Sequence, residues 1–140
     1  MRLAEQRVKT ALSYLIVIID FGVLVLIWYC WWTGWLYVDD ATTMLGILLP
    51  AAPGHALVMW RFIVDTRFMS QGNRRTVPLA FVCAAVFLLV VPAAFNVAVI
   101  LRQAGGGVHF SQSKWMLLTM QSFFSGFVGY LIAKLYSRPE

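Results

Sequence analysis

Three ionisable side chains, Asp20, His55 and Arg61, lie inside long apolar stretches of the sequence. Ionisable groups are costly at membrane depth, so each is a candidate functional residue, and a buried structural pair is the ordinary alternative. Counting about 1.5 Å of helix rise per residue places Asp20 and His55 at nearly the same level, near the middle of a bilayer. Such a pair could form a static hydrogen bond or relay protons, and Arg61 is an alternative partner for Asp20.

The segment "PAAPGH" at residues 50–55 is unfavourable for a continuous helix. Pro50 and Pro53 lack an amide N–H, so each leaves a carbonyl about one turn earlier without its helical partner, and Gly54 weakens the helix further. We expect a helix break directly beside the histidine. Broken helices line substrate or ion sites in many transporters, and proline kinks also occur in purely structural spans.

The segment "WYCWWTGW" at residues 28–35 holds four of the six tryptophans in the chain. Trp and Tyr concentrate where a helix leaves the bilayer, because the indole ring is apolar and its N–H can reach polar partners. In a helix that runs through the whole segment, aromatic residues recur along one face at Trp28, Trp31 or Trp32, and Trp35. The cluster is therefore either an interfacial belt or an aromatic wall that binds a sugar, quinone or quaternary cation.

The composition indicates an integral membrane protein, since 61% of the 140 residues are hydrophobic and 12% are charged, where soluble proteins have about a quarter charged. Apolar stretches long enough to cross a bilayer occur at about 11–37, 43–64, 77–101 and 115–136. The sequence predicts one domain spanning residues 1–140, an all-α antiparallel bundle of four transmembrane helices. Little chain is left for a soluble catalytic or nucleic-acid-binding domain.

The basic residues are distributed unevenly between the two ends of the predicted bundle. Nine of the eleven Lys and Arg lie before the first stretch, around the connection between the second and third stretches, or at the C-terminus. Arg102 and Lys114 lie at the other end, with Asp39 and Asp40. This is the positive-inside pattern, so we expect both termini in the cytoplasm and a location in a bacterial inner membrane. The net charge of +5 therefore indicates orientation rather than nucleic-acid binding.

With this orientation, the other buried polar groups are expected at different depths. Asn96 and Gln121 lie about five and six residues from the outer ends of their stretches, which predicts a second polar layer some 8–9 Å deep. Amides at such positions ordinarily form interhelical hydrogen bonds. Cys30 and Cys83 are expected at levels too far apart for a disulfide, as two free and buried thiols.

Small residues follow a helical spacing in the fourth stretch. Ser125, Gly129 and Ala133 recur every four residues, and Ser122 and Gly126 begin a second row beside them. Association of helices in lipid depends on close approach of their backbones, which small residues permit. This face is a predicted helix-packing interface, either between subunits or within the chain.

The sequence has no arrangement that is typical of an enzyme, a cofactor site or a metal site. The motifs HExxH, GxSxG and CxxC are absent. The strings "DFG" at 20–22, "SGFVGY" at 125–130 and "GGG" at 105–107 lack the surrounding elements that kinases, potassium filters and phosphate loops require. His109, in the glycine-rich connection, is interpreted as a solvated loop residue.

Two functions remain as the main hypotheses. The first is a non-enzymatic accessory or assembly subunit, surrounded by lipid and packed against itself or a larger integral membrane protein. The alternative is a homo-oligomeric ion channel or small transporter, with a polar path at Asp20 and His55 and a broken second helix. An intramembrane enzyme that uses these two residues is less favoured, because no nucleophile accompanies them.

Overall fold

The computed structural model describes the backbone of residues 2–68, 76–106 and 110–136. Within these ranges, five α-helices and a π-helical turn follow each other along the chain. They are α1 (Glu5–Trp32), α2 (Val38–Leu48), α3 (Ala51–Phe68), α4 (Leu79–Ala104) and α5 (Phe110–Leu131), with the π-helical turn at Ile132–Tyr136. The prediction of an all-helical chain is confirmed, apart from one short ribbon of two strands.

Three helical segments are long and apolar enough to cross a membrane: α1, α4, and α5 with the turn that continues it. α2 and α3 meet the same criterion only as a pair, which is bent by 41° at the break between them. The chain therefore has three candidate spans, or four if the bent pair is one span. Only 33%, 33% and 28% of the apolar windows in the three long helices are buried, so most of this apolar surface faces outward, as a lipid environment requires.

α1 ends earlier than predicted, because a glycine terminates it. The predicted helix at 11–37 starts six and ends five residues earlier in the structure. Gly34 has φ 76°, which glycine adopts without strain, and its N–H donates to the Trp31 carbonyl at 3.0 Å. The N–H of Trp35 donates to the Cys30 carbonyl at 2.9 Å, which completes a Schellman motif. Trp35 therefore lies beyond the helix.

The second predicted helix, at 43–64, consists of two helices in the structure. α2 ends at Leu48 and α3 begins at Ala51, so the chain breaks at residues 49–50. Pro50 has no N–H to donate to the carbonyl one turn before it, and this is the physical reason that α2 does not continue.

The connection between α4 and α5 is shorter than the predicted helices at 77–101 and 115–136 imply, because α4 extends to Ala104 and α5 begins at Phe110. A second glycine with positive φ, Gly106 at 78°, follows α4, and its N–H donates to a carbonyl in the last turn of the helix. Each of these helices therefore carries its polar residues deeper than the sequence estimate placed them.

A two-stranded antiparallel ribbon joins distant parts of the chain. β1 (Arg2–Ala4) pairs with β2 (Thr76–Pro78), and Leu3 is opposite Val77. Each strand has three residues, which is too short for an alternating pattern to show in the sequence. The ribbon brings the beginning of α1 beside the beginning of α4, so these two helices leave from the same end.

The interior consists of two apolar clusters stacked along the helices. The first contains residues from the early parts of α1 and α4, the middle of α3, the late part of α5 and the π-helical turn: Val8, Leu12, Ile16, Met59, Ala85, Leu89, Phe124, Val128, Leu131 and Leu135. The second contains residues from the late parts of α1 and α4, from α2 and the turn before it, and from the early part of α5: Val23, Ile27, Cys30, Leu36, Ala41, Met44, Leu48, Val99, Ile100 and Leu117. α1 and α4 run from the first cluster to the second, whereas the α2–α3 pair and α5 run from the second cluster to the first. The direction of the chain therefore alternates from one span to the next.

The two cysteines differ in their surroundings. Both are free thiols, and Cys30 is buried in the second cluster. The prediction that Cys83 is buried is wrong, because Cys83 lies on the side of α4 that faces outward, whereas Ala85 and Leu89 face the other helices. A sequence in which every face of the helix is apolar gives no signal for which side faces lipid.

Candidate functional site in the polar layer of the helix core

Between the two apolar clusters, α1 and α3 bring Asp20 and His55 into direct contact. The Nδ1 atom of His55 lies 2.8 Å from the Oδ2 atom of Asp20. The two side chains are only 12% and 5% exposed, respectively. The contact is therefore a largely buried hydrogen bond between the imidazole and the carboxyl group, and it is an ion pair when the imidazole is protonated and the carboxyl group is ionised.

Phe124 on α5 holds the imidazole from a third helix. The ring centroids of His55 and Phe124 are 6.0 Å apart with an interplanar angle of 63°, an edge-to-face arrangement. Phe124 is 1% exposed and also belongs to the first apolar cluster, so it closes the polar layer on that side. Nothing in the sequence distinguishes this phenylalanine from the other nine.

The carboxamides of Asn96 and Gln121 face each other across α4 and α5. The Nδ2 atom of Asn96 donates to Oε1 of Gln121 over 3.4 Å, near the upper limit for a hydrogen bond. Asn96 is 3% exposed, and its Oδ1 atom is buried without a hydrogen-bond partner among the described residues. An unsatisfied buried acceptor costs about 1–3 kcal/mol, so this oxygen is an unusual feature of the interior.

A small cavity connects these groups into one site. Its volume is about 10 Å³, roughly the space of one water molecule. Three polar residues line it, Asp20, Asn96 and Gln121, and the rest of the lining is apolar: Ile19, Val23, Leu48, Ala93 and Phe124. The prediction of two separate polar layers is therefore wrong. Asp20 is fifteen residues into the 28-residue α1, counted from Glu5, and Asn96 is eight residues before the end of the 26-residue α4, three residues deeper than the predicted helix end at 101 implied.

The helix break lies beside this cavity. Leu48, the last residue of α2, lines it, and Pro50 follows in the break. Pro53 lies in the first turn of α3, where the missing N–H has no helical acceptor and is tolerated. Gly54 is exposed, and a Cβ there would meet no atom within 4 Å, so close packing does not require this glycine.

A second polar contact lies at the opposite end of the second apolar cluster. Gln103 donates from Nε2 to Oδ2 of Asp40 at 3.2 Å and accepts a hydrogen bond from Oγ of Ser113 at 2.9 Å. These contacts tie α2, α4 and α5 together near the connection between α4 and α5. Gln103 and Ser113 lie outside the predicted helices at 77–101 and 115–136, so these contacts were not predicted from the sequence.

The tryptophan cluster is divided by the end of α1. Trp28 and Trp32 stack on each other, with ring centroids 5.6 Å apart and an interplanar angle of 24°. Trp31 is exposed on the same helix, and Trp35 is 61% exposed in the turn that follows. The continuous aromatic face predicted through Trp35 is therefore wrong, since the glycine C-cap redirects the chain after Trp32.

The small-residue face of α5 and of the π-helical turn that continues it is mostly exposed. Ser122, Gly126, Gly129 and Ala133 are exposed, and Ser125 is half-buried. A Cβ built at Gly126 or Gly129 would meet no described atom within 4 Å. Close packing against a helix of the same chain therefore does not explain these two glycines.

Residue His109 and the side chain of Arg61, both candidates from the sequence, lie outside the described part of the structure. Within the part that is described, no group of three or more His, Cys, Asp or Glu residues is arranged to hold a metal ion. No family model, curated protein or solved structure matches the chain.

Proposed function

We propose that the chain is a small, non-enzymatic integral membrane protein that acts as an accessory or assembly subunit within a larger membrane complex. The observation that carries this proposal is the exposed small-residue face of α5. Lipid tails solvate apolar side chains as well as a protein does, so a partner helix gains most where backbones can approach closely. Gly126 and Gly129 offer that approach, and nothing in the described chain occupies it.

Two large, exposed aromatic side chains lie beside the small residues of this face. Phe123 is 70% exposed and Tyr130 is 48% exposed, and each is adjacent in sequence to a small residue of the face. A partner helix could place its own side chains over the glycines and contact both rings. Such a ridge beside a groove supports a helix–helix interface.

The proposed topology has four membrane crossings, with both termini in the cytoplasm. The ribbon supports this number, since β1 precedes α1 and β2 follows α3, yet the two strands are paired. If α1 crosses the membrane, the bent α2–α3 pair has to bring the chain back. The uneven distribution of Lys and Arg supports the cytoplasmic side for this end.

Cysteine labelling tests this topology. We expect Ser111→Cys to react with a membrane-impermeant thiol reagent in intact bacterial cells, and Asn73→Cys to react only after the cells are opened. Cys30 and Cys83 are first replaced by serine, and the cysteine-free protein serves as the control. Reaction at position 73 and protection at position 111 in intact cells would reverse the assignment.

Native mass measurement in a mild detergent tests the accessory role. We expect the protein, expressed in its own cells, to co-purify with a larger integral membrane polypeptide in a fixed ratio. An isolated monomer, with no co-purifying polypeptide after crosslinking in the membrane, contradicts the proposal.

A closed ring of identical copies in the same experiment would favour the second candidate function, a homo-oligomeric channel or small transporter. The observation that favours this function is the polar layer of Asp20, His55 and Asn96 beside a broken helix. Four helices are few to enclose a water path, so this function requires several copies.

A further inference from the structure

A groove lies between α1 and α4, at the end of the helices that carries the ribbon. Its volume is about 610 Å³, within the range of ~300–1,000 Å³ that is typical of small-molecule sites. One wall extends from Ala4 to Leu15, and Val82 and Val86 of α4 form the other. At about 1.5 Å of rise per residue, the first wall is about 16 Å long, or half of a hydrocarbon core of about 30 Å. This α1–α4 groove therefore has the length of one lipid leaflet.

The walls of the α1–α4 groove are suited to an acyl chain. Apart from Arg7, the residues that line it are Ala, Val or Leu. Val8 and Leu12 are buried members of the first apolar cluster, whereas Ala4 and Ala11 are exposed and have side chains too small to fill the space. A hydrocarbon chain in the groove therefore contacts two helices at once, instead of the single surface that an exposed helix offers.

Arg7 places a positive charge at the end of the groove nearest the ribbon. Within the described residues, no hydrogen bond or ion pair engages its guanidinium. Glu5, the acidic residue closest to it in sequence, is already paired with Lys9 at 2.7 Å. Ala4, the N-cap of α1, has no side-chain cap, so the positive end of the helix dipole adds to the charge of Arg7. A guanidinium can bind two phosphate oxygens at once, so this end of the groove favours a phosphate group.

We propose that the α1–α4 groove binds one anionic phospholipid, with an acyl chain between α1 and α4 and the phosphate at Arg7. The charge and the apolar walls follow each other in the order of the two parts of a lipid, since the walls extend from Arg7 toward the middle of the helices. A zwitterionic lipid has the same chains, but its cationic group meets the uncompensated charge of Arg7. The proposal goes beyond the accessory role and does not depend on it, because the groove is on α1 and α4 and the small-residue face is on α5.

Native mass spectrometry of the purified protein, titrated in detergent with phosphatidylglycerol, tests the site. Phosphatidylcholine with the same acyl chains is the comparison lipid, because it differs in the net charge of its head group. We expect the first phosphatidylglycerol to bind about fivefold more tightly than phosphatidylcholine, which is the effect of one favourable charge near a membrane surface. Further lipid molecules should bind without this preference.

Two pairs of variants place the lipid in the groove. Arg7→Gln removes the charge and should abolish the preference for phosphatidylglycerol, whereas Arg102→Gln, at an exposed position near the opposite end of α4, should retain it. Ala11→Phe fills the groove and should prevent tight binding of the first lipid. Ala84→Phe is the matched control for size, since Ala84 is exposed on α4 and does not line the groove.

All four substituted positions are exposed, so the variants are expected to fold, and an unchanged circular dichroism spectrum verifies this. Equal affinity of the wild-type protein for the two lipids would overturn the proposal. An undiminished preference in Arg7→Gln would do the same, because the charge would then act elsewhere. If the wild-type protein binds no lipid tightly and Ala11→Phe instead loses a co-purifying polypeptide, the groove holds a partner helix, and the proposal is wrong.

Discussion

Replacing His55 with leucine is expected to lower the free energy of unfolding by about 3–5 kcal/mol, because the substitution leaves Asp20 in the interior without its partner. The two atoms that form the contact are 2.8 Å apart, and the Asp20 side chain is 5% exposed. Leucine has a similar volume to histidine, so the loss arises mainly from the carboxylate rather than from a cavity. Reversible unfolding in mixed micelles, followed by circular dichroism, measures the difference.

Two further variants test whether the loss of stability comes from the unpaired Asp20 carboxylate. Asp20→Asn combined with His55→Leu removes the charge as well as its partner, so it should recover a large part of the stability that His55→Leu loses. Asp39→Asn, an exposed acidic residue at the beginning of α2, should change the free energy of unfolding by about 0.5 kcal/mol or less. If His55→Leu is no more destabilising than Asp39→Asn, the buried contact contributes little, and the polar layer loses its structural role.

Replacing Gly129 with leucine is expected to abolish assembly while the chain itself stays folded. A Cβ at Gly129 meets no described atom within 4 Å, so the larger side chain has room in the isolated chain. In a complex, the same side chain would separate two backbones that have to approach closely. We expect the co-purifying polypeptide, or the larger particle, to be lost in native mass analysis, with the helical content unchanged.

Gly46→Leu is the matched control for this substitution. Gly46 also lies in a helix, and a Cβ there also meets no atom within 4 Å, but it is on α2 rather than α5. It should leave the native mass unchanged. An unchanged assembly in Gly129→Leu would exclude this part of α5 as the interface and would remove the main support for an accessory subunit.

The sequence predicts the apolar helices well, because the length and hydropathy of each stretch are local properties. It also predicts the common level of Asp20 and His55, since the count of residues along two helices suffices for that. The positions of the helix ends were predicted less well. The end of α1 depends on Gly34 adopting positive φ, and a glycine beside four tryptophans looks the same in a sequence whether or not it terminates a helix.

The sequence could not show that Asp20, Asn96 and Gln121 line one cavity and so belong to a single polar layer. This arrangement depends on the relative shift of α1 and α4 along their axes, and an error of a few residues at each helix end changes a depth estimate by several ångströms. The lack of a hydrogen-bond partner for Asn96 Oδ1 likewise depends on the three-dimensional arrangement of the helices. A sequence shows that an amide is present, but the number of hydrogen bonds it makes depends on its neighbours.

The ribbon of β1 and β2 has a consequence for the order in which the chain is made. Its strands are separated by three helices, so residues 2–4 have no partner until the ribosome has synthesised residues 76–78. Long-range pairing of this kind carries a loop-closure entropy that grows only slowly with length. If α1 and the bent α2–α3 pair insert into the membrane as they are made, β1 and β2 reach the same membrane surface and can pair there. Residues 2–4 are therefore expected to take their final positions only after residues 76–78 have been made.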